Sequence, residues 1–491
     1  MLKGYQHHHL DPMILIKKKF QINFKSFYFL FTLLFSFNLI AQIELGNLFS
    51  DNMVLQRNTE VNIWGKSNPN QVINVLSSWN NKSIKTKSNS DGDWILKIET
   101  NNFNGPHKLT ISTNNDLVEI NNILLGEVWF ASGQSNMEMT LNGYINEPIF
   151  GSQDLIAKAN NSQIRLLTIE RNYSSVPLDN FNGIWKESNP ESVRYFSAVA
   201  YSYAKYIHES LGVPVGIISS AWGGTPAEAW AKKSFLDQAF ESGIIRNNSI
   251  EKFEYYNPGS LFNAMLSPLI PYTVRGGIWY QGENNRERAK HYSKLMQVMV
   301  ESWRSEWGQG DFPFYFVQIA PFRYDGPNES SSAELRDSQL DAMKNIKNSG
   351  MVSTVDIGDL NSIHPPEKIK VGNRLAYWAL NKTYGFKSIT PSGPIPNSAK
   401  VDGSQVVVNF DYVNNGLYNF NGPLNDFEIA GDDGIFYSAN AKIYLKSIIL
   451  ESSNVKNPKE VRYGWKNYFE ASLFNIEGLP ASSFYIKELV K

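Results

Sequence analysis

Residues 132–139 read SGQSNMEM and follow the apolar run Val128-Trp129-Phe130-Ala131. A chain that leaves a strand through Ser132-Gly133 sets Ser135 beside the start of the next helix, where unpaired backbone N–H groups can hold an oxyanion. Gly133 permits the sharp turn or close approach this needs. Ser132 or Ser135 could equally cap that helix, and a lone Gly-x-Ser does not separate a nucleophile from a cap. A base is therefore sought among the histidines, of which four lie beyond residue 42. His208 and His291 fall inside helical patterns, and His107 sits in a strand-rich stretch. His364 follows the apolar run Met351 to Val355 across a polar loop, Asp356 to Ser362, and is fixed by Pro365-Pro366 ahead of a helix from about Glu367 to Leu380. A loop histidine at the carboxyl end of a parallel strand is placed for proton transfer; a surface histidine stacked on proline is the competing reading.

Two more strand ends carry useful chemistry. Gly223-Gly224-Thr225 follows the run 215–220 and offers backbone N–H groups unobstructed by Cβ, and Gln281-Gly282-Glu283-Asn284 follows 276–280 and offers a side-chain amide. A tetrahedral oxyanion needs such donors, each worth ~3–4 kcal/mol of barrier. Three glycine-marked polar strand ends and one loop histidine together fit an acyl-transfer site. No His/Asp cluster has the spacing of a metal site, and the chemistry requires no cofactor.

The elements that must position these groups are legible in outline. From Ile43 to about Asn122, short alternating runs such as Val61-Asn62-Ile63-Trp64 are broken by Asn, Ser, Gly and Asp, which predicts a small β domain at 43–122. Between 123 and 385, short apolar runs alternate with helical patterns at Ala198 to Leu211, Arg286 to Trp307 and Ala333 to Lys347. That alternation predicts a parallel sheet covered on both faces, with its ligand crevice beyond the strands' carboxyl ends. Alternation returns in Gln405 to Phe410 and Ala441 to Leu445, predicting a β region over 386–491. At 491 residues, 42% hydrophobic with 12 Trp and 24 Tyr, the chain has ample core and aromatic surface for stacking on rings such as sugars.

Residues 1–42 pair the basic group Lys17-Lys18-Lys19 and Lys25 with an apolar stretch from Phe27 to Ala41, the pattern of a secretory signal and short for a membrane span of ~20 residues. Its removal moves the formal charge from −1 to −5. A mildly acidic mature chain carries no footprint for nucleic acid or for an anionic membrane. With no cysteine, it has neither disulfides nor a thiolate nucleophile, which suits export to a periplasm or cell surface for a protein of this size.

The motifs GQSNMEM (133–139), WGGTPAEAW (222–230), GGIWYQGENN (276–285) and IHPPEK (363–368) resemble the sialate O-acetylesterase family, a branch of the SGNH hydrolases. LFSDNMVLQR (48–57), AELRDSQ (333–339), VRYGW (461–465) and GLPASSF (478–484) extend the likeness over nearly the whole chain after residue 42. The resemblance implies a flavodoxin-like three-layer α/β/α core flanked by β domains, and hydrolysis of O-acetyl esters on sugars or glycans. It implies Ser135 as nucleophile and His364 as base. Oxyanion donors would be the Ser135 N–H, the N–H of Gly223 or Gly224, and the Gln281 side chain. Gln134, Asn136, Trp222, Glu283, Asn284 and Arg336 would shape and line the sugar site, with Trp230 and Trp279 as further candidate walls. One position departs from the pattern: where SGNH enzymes usually carry Asp three residues before the histidine stands Asn361, and Ser362 occupies the next. Asp359 is the expected third member, nearer than Asp356; a backbone carbonyl standing in, or a slow enzyme, are the alternatives. Loss of that carboxylate costs about 10⁴ in turnover in serine proteases. An enzyme of the 9-O-acetyl sialate type is expected, against two rivals: an acetylxylan-type deacetylase on the same site, and a non-catalytic carbohydrate-binding protein on a decayed esterase scaffold.

Overall fold

One strand, the 17 residues Leu117–Gly133, organises the molecule. Its first half alternates exposed and buried positions, and its second half, from Ile123, is buried throughout. Alternation suits a sheet with one wet face, and a continuous apolar run suits a strand covered on both. Accordingly the strand pairs antiparallel with Asn104–Ser112 as far as Leu125, and from Trp129 onward lies between two parallel neighbours, Val215–Ala221 and Gly276–Tyr280. The computed structural model describes residues 42–102, 104–241, 253–420 and 422–490, so the expected signal lies outside the described residues apart from Gln42. Ile43–Lys491 form one unit, and the expected boundary at 122/123 falls inside this shared strand.

The central sheet runs in the order Ser349–Val352, Phe314–Val317, Gly276–Tyr280, Leu117–Gly133, Val215–Ala221, Asn161–Thr168, Lys186–Ser188. All of these neighbours are parallel except the last pair. Trp129 and Ala131 enter a core with Val199 and Ala200 of the helix Ala198–Leu211 and Val371 and Leu375 of Lys368–Trp378. Val128 and Phe130 face the opposite core, with Leu295 and Trp303 of Ala289–Trp307 and Leu335 of Ser331–Asn345. Flanking β regions are present at both ends of the chain, the second built around an antiparallel sheet of Ile395–Asp402, Gln405–Asp411, Ser447–Glu451 and Asn440–Tyr444.

Register decides where chemistry can sit. Gly133 stands opposite both Ala221 and Tyr280, Tyr280 opposite Val317, and Val317 opposite Val352. The five strands therefore end level, and the loops after them share one rim.

Candidate active site

Gly133 makes the first turn at that rim. Its φ is +142°, and a Cβ there would lie 2.1 Å from the Tyr280 carbonyl oxygen, so no other residue fits without moving the neighbouring strand. Gln134 N–H donates to the same carbonyl at 3.0 Å, and a single helical turn, Ser135–Glu138, follows. Ser135, half-buried at the start of that turn, points its hydroxyl at His364: Oγ to Nε2 is 2.9 Å across 229 positions of chain.

The other imidazole nitrogen finds a carboxylate, but Asp359 does not supply it. His364 Nδ1 donates to Glu147 Oε2 at 2.8 Å, and Ser362 Oγ reaches Glu147 Oε1 at 3.2 Å. Asp359 is spent on its own loop, where Oδ1 accepts the N–H groups of Asn361 at 2.7 Å and Ser362 at 3.1 Å. Asp356 is held by Arg374 through two hydrogen bonds, 2.7 and 2.6 Å. Glu147 arrives from a tight turn in which Tyr144 and Glu147 exchange backbone hydrogen bonds of 3.0 and 3.1 Å. With Nδ1–H given to a carboxylate, Nε2 is left as acceptor for the Ser135 hydroxyl, the tautomer a base requires. Burial pushes His364 below the ordinary imidazole value; Glu147 opposes this and buried Lys368 adds to it. The lowering wins even beside a carboxylate because the ring is withdrawn from water.

The expected oxyanion donors separate on inspection. The N–H groups of Ser135 and Gly224 are engaged with no described protein group. Gly223 lies against Ser135, where an added Cβ would stand 3.3 Å from the Ser135 Cβ, yet its N–H donates to Glu138 Oε2 at 2.8 Å. Gln281 is fully buried and committed elsewhere: Nε2 donates to Asn285 Oδ1 at 2.7 Å and Thr225 O at 3.2 Å, and Oε1 accepts from Tyr292 at 2.8 Å. Its role is therefore corrected from oxyanion donor to brace, tying the Gly223–Thr225 loop to the end of the neighbouring strand.

Several other expected substrate contacts are likewise internal. Asn136 is fully buried, and its Nδ2 bridges Glu283 Oε1 at 2.6 Å and the Ile363 carbonyl at 3.1 Å, bracing the histidine loop from behind. Glu283 keeps its other oxygen out of solvent, and desolvation raises its pKa. Buried Lys368, pushed down to about 7 by desolvation, donates to the Pro365 carbonyl at 2.5 Å. Gln134 is buried, its Oε1 facing the N–H groups of Gly282 and Asn284, each at 3.5 Å. Asn284 Nδ2 donates to the Gly224 carbonyl at 2.6 Å. Trp230 and Trp279 are fully buried and pack edge to face, centroids 6.1 Å apart, so both belong to the core. Trp222 is half-buried, stacked on Tyr255 at 4.5 Å with Arg171 5.7 Å from its ring, and fits a sugar platform.

Arg336 lies away from the serine. Fully buried, it donates to Ser483 Oγ at 2.9 Å, Ser332 Oγ at 3.1 Å and the carbonyls of Gly464 and Lys466, with Phe469 5.4 Å below the guanidinium. It fastens the stretches 461–465 and 478–484 to the helix Ser331–Asn345. Desolvation pushes it down to about 9. Arg336→Leu strands these acceptors, at a cost of about 3 kcal/mol. A fall in the calorimetric unfolding midpoint checks this; an unchanged midpoint would deny the fastening role.

Sequence reasoning missed Glu147 and Arg171, which stand on a turn and a loop away from the motif-marked strand ends, and Glu138, which lies within the motif 133–139 but was given no role there. Compared with known proteins, residues 125–381 match the family described as carbohydrate esterase, sialic acid-specific acetylesterase. The human sialate O-acetylesterase is 27% identical over 407 residues, covering 75% of this chain and 76% of its own length. The mouse protein is 28% identical over 420 residues, covering 73% and 77%. Among solved structures, a carbohydrate acetylesterase from Xanthomonas citri is 34% identical, covers 90% of this chain and 99% of its own, and superposes with a TM-score of 0.83.

Proposed function

From its membership of the sialic acid-specific acetylesterase family of carbohydrate esterases, we propose that this chain removes O-acetyl groups from sugars through an acetyl-enzyme on Ser135. It is a carboxylic ester hydrolase of the sialate O-acetylesterase type. The observation that carries the mechanism is the unbroken line Ser135 Oγ, His364 Nε2, His364 Nδ1, Glu147 Oε2, with links of 2.9 and 2.8 Å. His364 takes the hydroxyl proton as Ser135 Oγ attacks the acetyl carbonyl, and Glu147 steadies the imidazolium that forms. The oxyanion is received by backbone N–H groups of Ser135 and the 223–224 loop. Collapse releases the sugar oxygen with the proton from His364, and water repeats the cycle to free acetate. The level strand ends and the helices packed on both sheet faces support an SGNH-type three-layer core for this chemistry. The carboxylate of Glu147 on His364 Nδ1 supports the catalytic reading over a decayed scaffold.

The substrate is proposed to be an acetylated sialate. One observation favours the second reading, an acetylated neutral polysaccharide. Glu138 and Glu147 both stand within one residue's reach of the serine–histidine pair, and Arg171, the cation beside Trp222, is already held by Glu138 Oε1 at 2.5 Å. A sugar bearing its own carboxylate meets like charge there. Acetate release from 9-O-acetyl sialate and from acetylated xylan, compared by kcat/KM, separates them: preference for sialate sustains the first reading and preference for xylan the second.

A further inference from the structure

Glu138 sits three residues after Ser135 on the same helical turn, so both side chains face the same side. That side meets Gly223. Glu138 Oε2 takes the Gly223 N–H at 2.8 Å while Oε1 takes Arg171 Nε at 2.5 Å, and Arg171 also lies over Trp222. An added Cβ at Gly223 would stand 3.1 Å from Glu138 Oε2 and 3.3 Å from the Ser135 Cβ, so the carboxylate and the nucleophile abut the same glycine. The Glu138 side chain is 19% exposed and Arg171 53%, leaving the pair room to move.

The geometry points to Glu138 as a resident stopper: its carboxylate fills, in the free enzyme, the carboxylate seat formed by the Gly223 N–H and Arg171, a seat that Glu138 must vacate for substrate and that product acetate can refill. The inference rests on the proposed acyl transfer at Ser135. A tetrahedral oxyanion at Gly223 cannot coexist with a carboxylate oxygen on the same N–H, because two negative oxygens cannot share one donor without repulsion. Glu138 must therefore rotate off Gly223 for each turnover, and Arg171 is the cation it can keep as it does so. Acetate carries the same group as the Glu138 side chain and competes for the same two donors.

The test uses the whole chain and 4-nitrophenyl acetate, a substrate with no sugar to contact Trp222 or Arg171. Glu138→Ala is expected to raise kcat/KM and to tighten competitive inhibition by acetate about tenfold, the scale of one charged hydrogen bond. An acetate inhibition constant unchanged in Glu138→Ala overturns the inference, whatever happens to turnover. Should that variant fold poorly, Glu138→Gln removes the charge at constant size, and acetate binding tighter than wild type sustains the inference while equal or weaker binding overturns it. Arg171→Ala supplies a readout that mere structural support would not move: it should lower kcat/KM with Glu138 present and lose that effect in the Glu138→Ala background. Additive effects of the two changes count against the stopper. Acetate binding by calorimetry in the Ser135→Ala background reads the seat without turnover. Failure of the nucleophile assignment, seen as full activity in Ser135→Ala alone, is thereby distinguishable from failure of the stopper.

Discussion

Ser135→Ala is expected to lower kcat for acetyl-ester hydrolysis by about a million-fold, the loss seen when the nucleophile of a serine hydrolase is removed. The size follows from what the hydroxyl does. In the proposed mechanism it forms the bond that divides one difficult hydrolysis into two easier steps, and nothing else on that turn can replace it, since Asn136 is fully buried and Met137 lies in the core. The fold should survive, because the change deletes one hydrogen bond of a half-buried side chain, worth ~1 kcal/mol. Acetate release and circular dichroism on the same preparation give the answer. Wild-type turnover in the variant, with the far-ultraviolet spectrum intact, would remove Ser135 from the mechanism and the acetyl-enzyme with it.

The second expected loss separates two acids that the sequence could not rank. Glu147→Gln should reduce kcat by about 10⁴, since an amide on Nδ1 permits the wrong imidazole tautomer and no longer stabilises the imidazolium. Asp359→Asn should cost far less, because an amide oxygen can still accept the two backbone N–H groups that Asp359 now holds. The pH profile adds a signed check. Glu147 raises the His364 pKa against the lowering by burial and Lys368. Its removal lets that pKa fall further, so the acidic limb of kcat/KM moves to lower pH in Glu147→Gln. A limb that moves up, or an Asp359→Asn loss as large as that of Glu147→Gln, would return the third position to the 356–362 loop.

The strand ends were legible because parallel sheets write themselves as short apolar runs closed by glycine and polar residues, and five of those runs do end on one rim. Ser135 and His364 follow from that grammar. Glu147 does not: it lies 217 positions before His364 on a hairpin-like turn, and no periodicity signals that Tyr144 and Glu147 will pair. Polar residues in strong motifs posed the opposite difficulty. Gln281 and Arg336 carry the donors a site would need, but whether a donor faces substrate or backbone is a matter of packing. Both proved fully buried with their N–H groups already given to neighbours. The limit expected at 122/123 falls inside a strand for a similar reason, since composition changes near 122 while the hydrogen-bond ladder continues through it.

That uninterrupted ladder has a mechanical meaning. Ser135 stands at the tip of a tie-rod whose far end is clamped in the amino-terminal sheet, so heat or denaturant that loosens the clamp also slackens the tip. Catalytic competence and the integrity of residues 43–122 should therefore be lost in one cooperative step, and a gene trimmed at the apparent border would yield a hydrolase with its anchor sawn off.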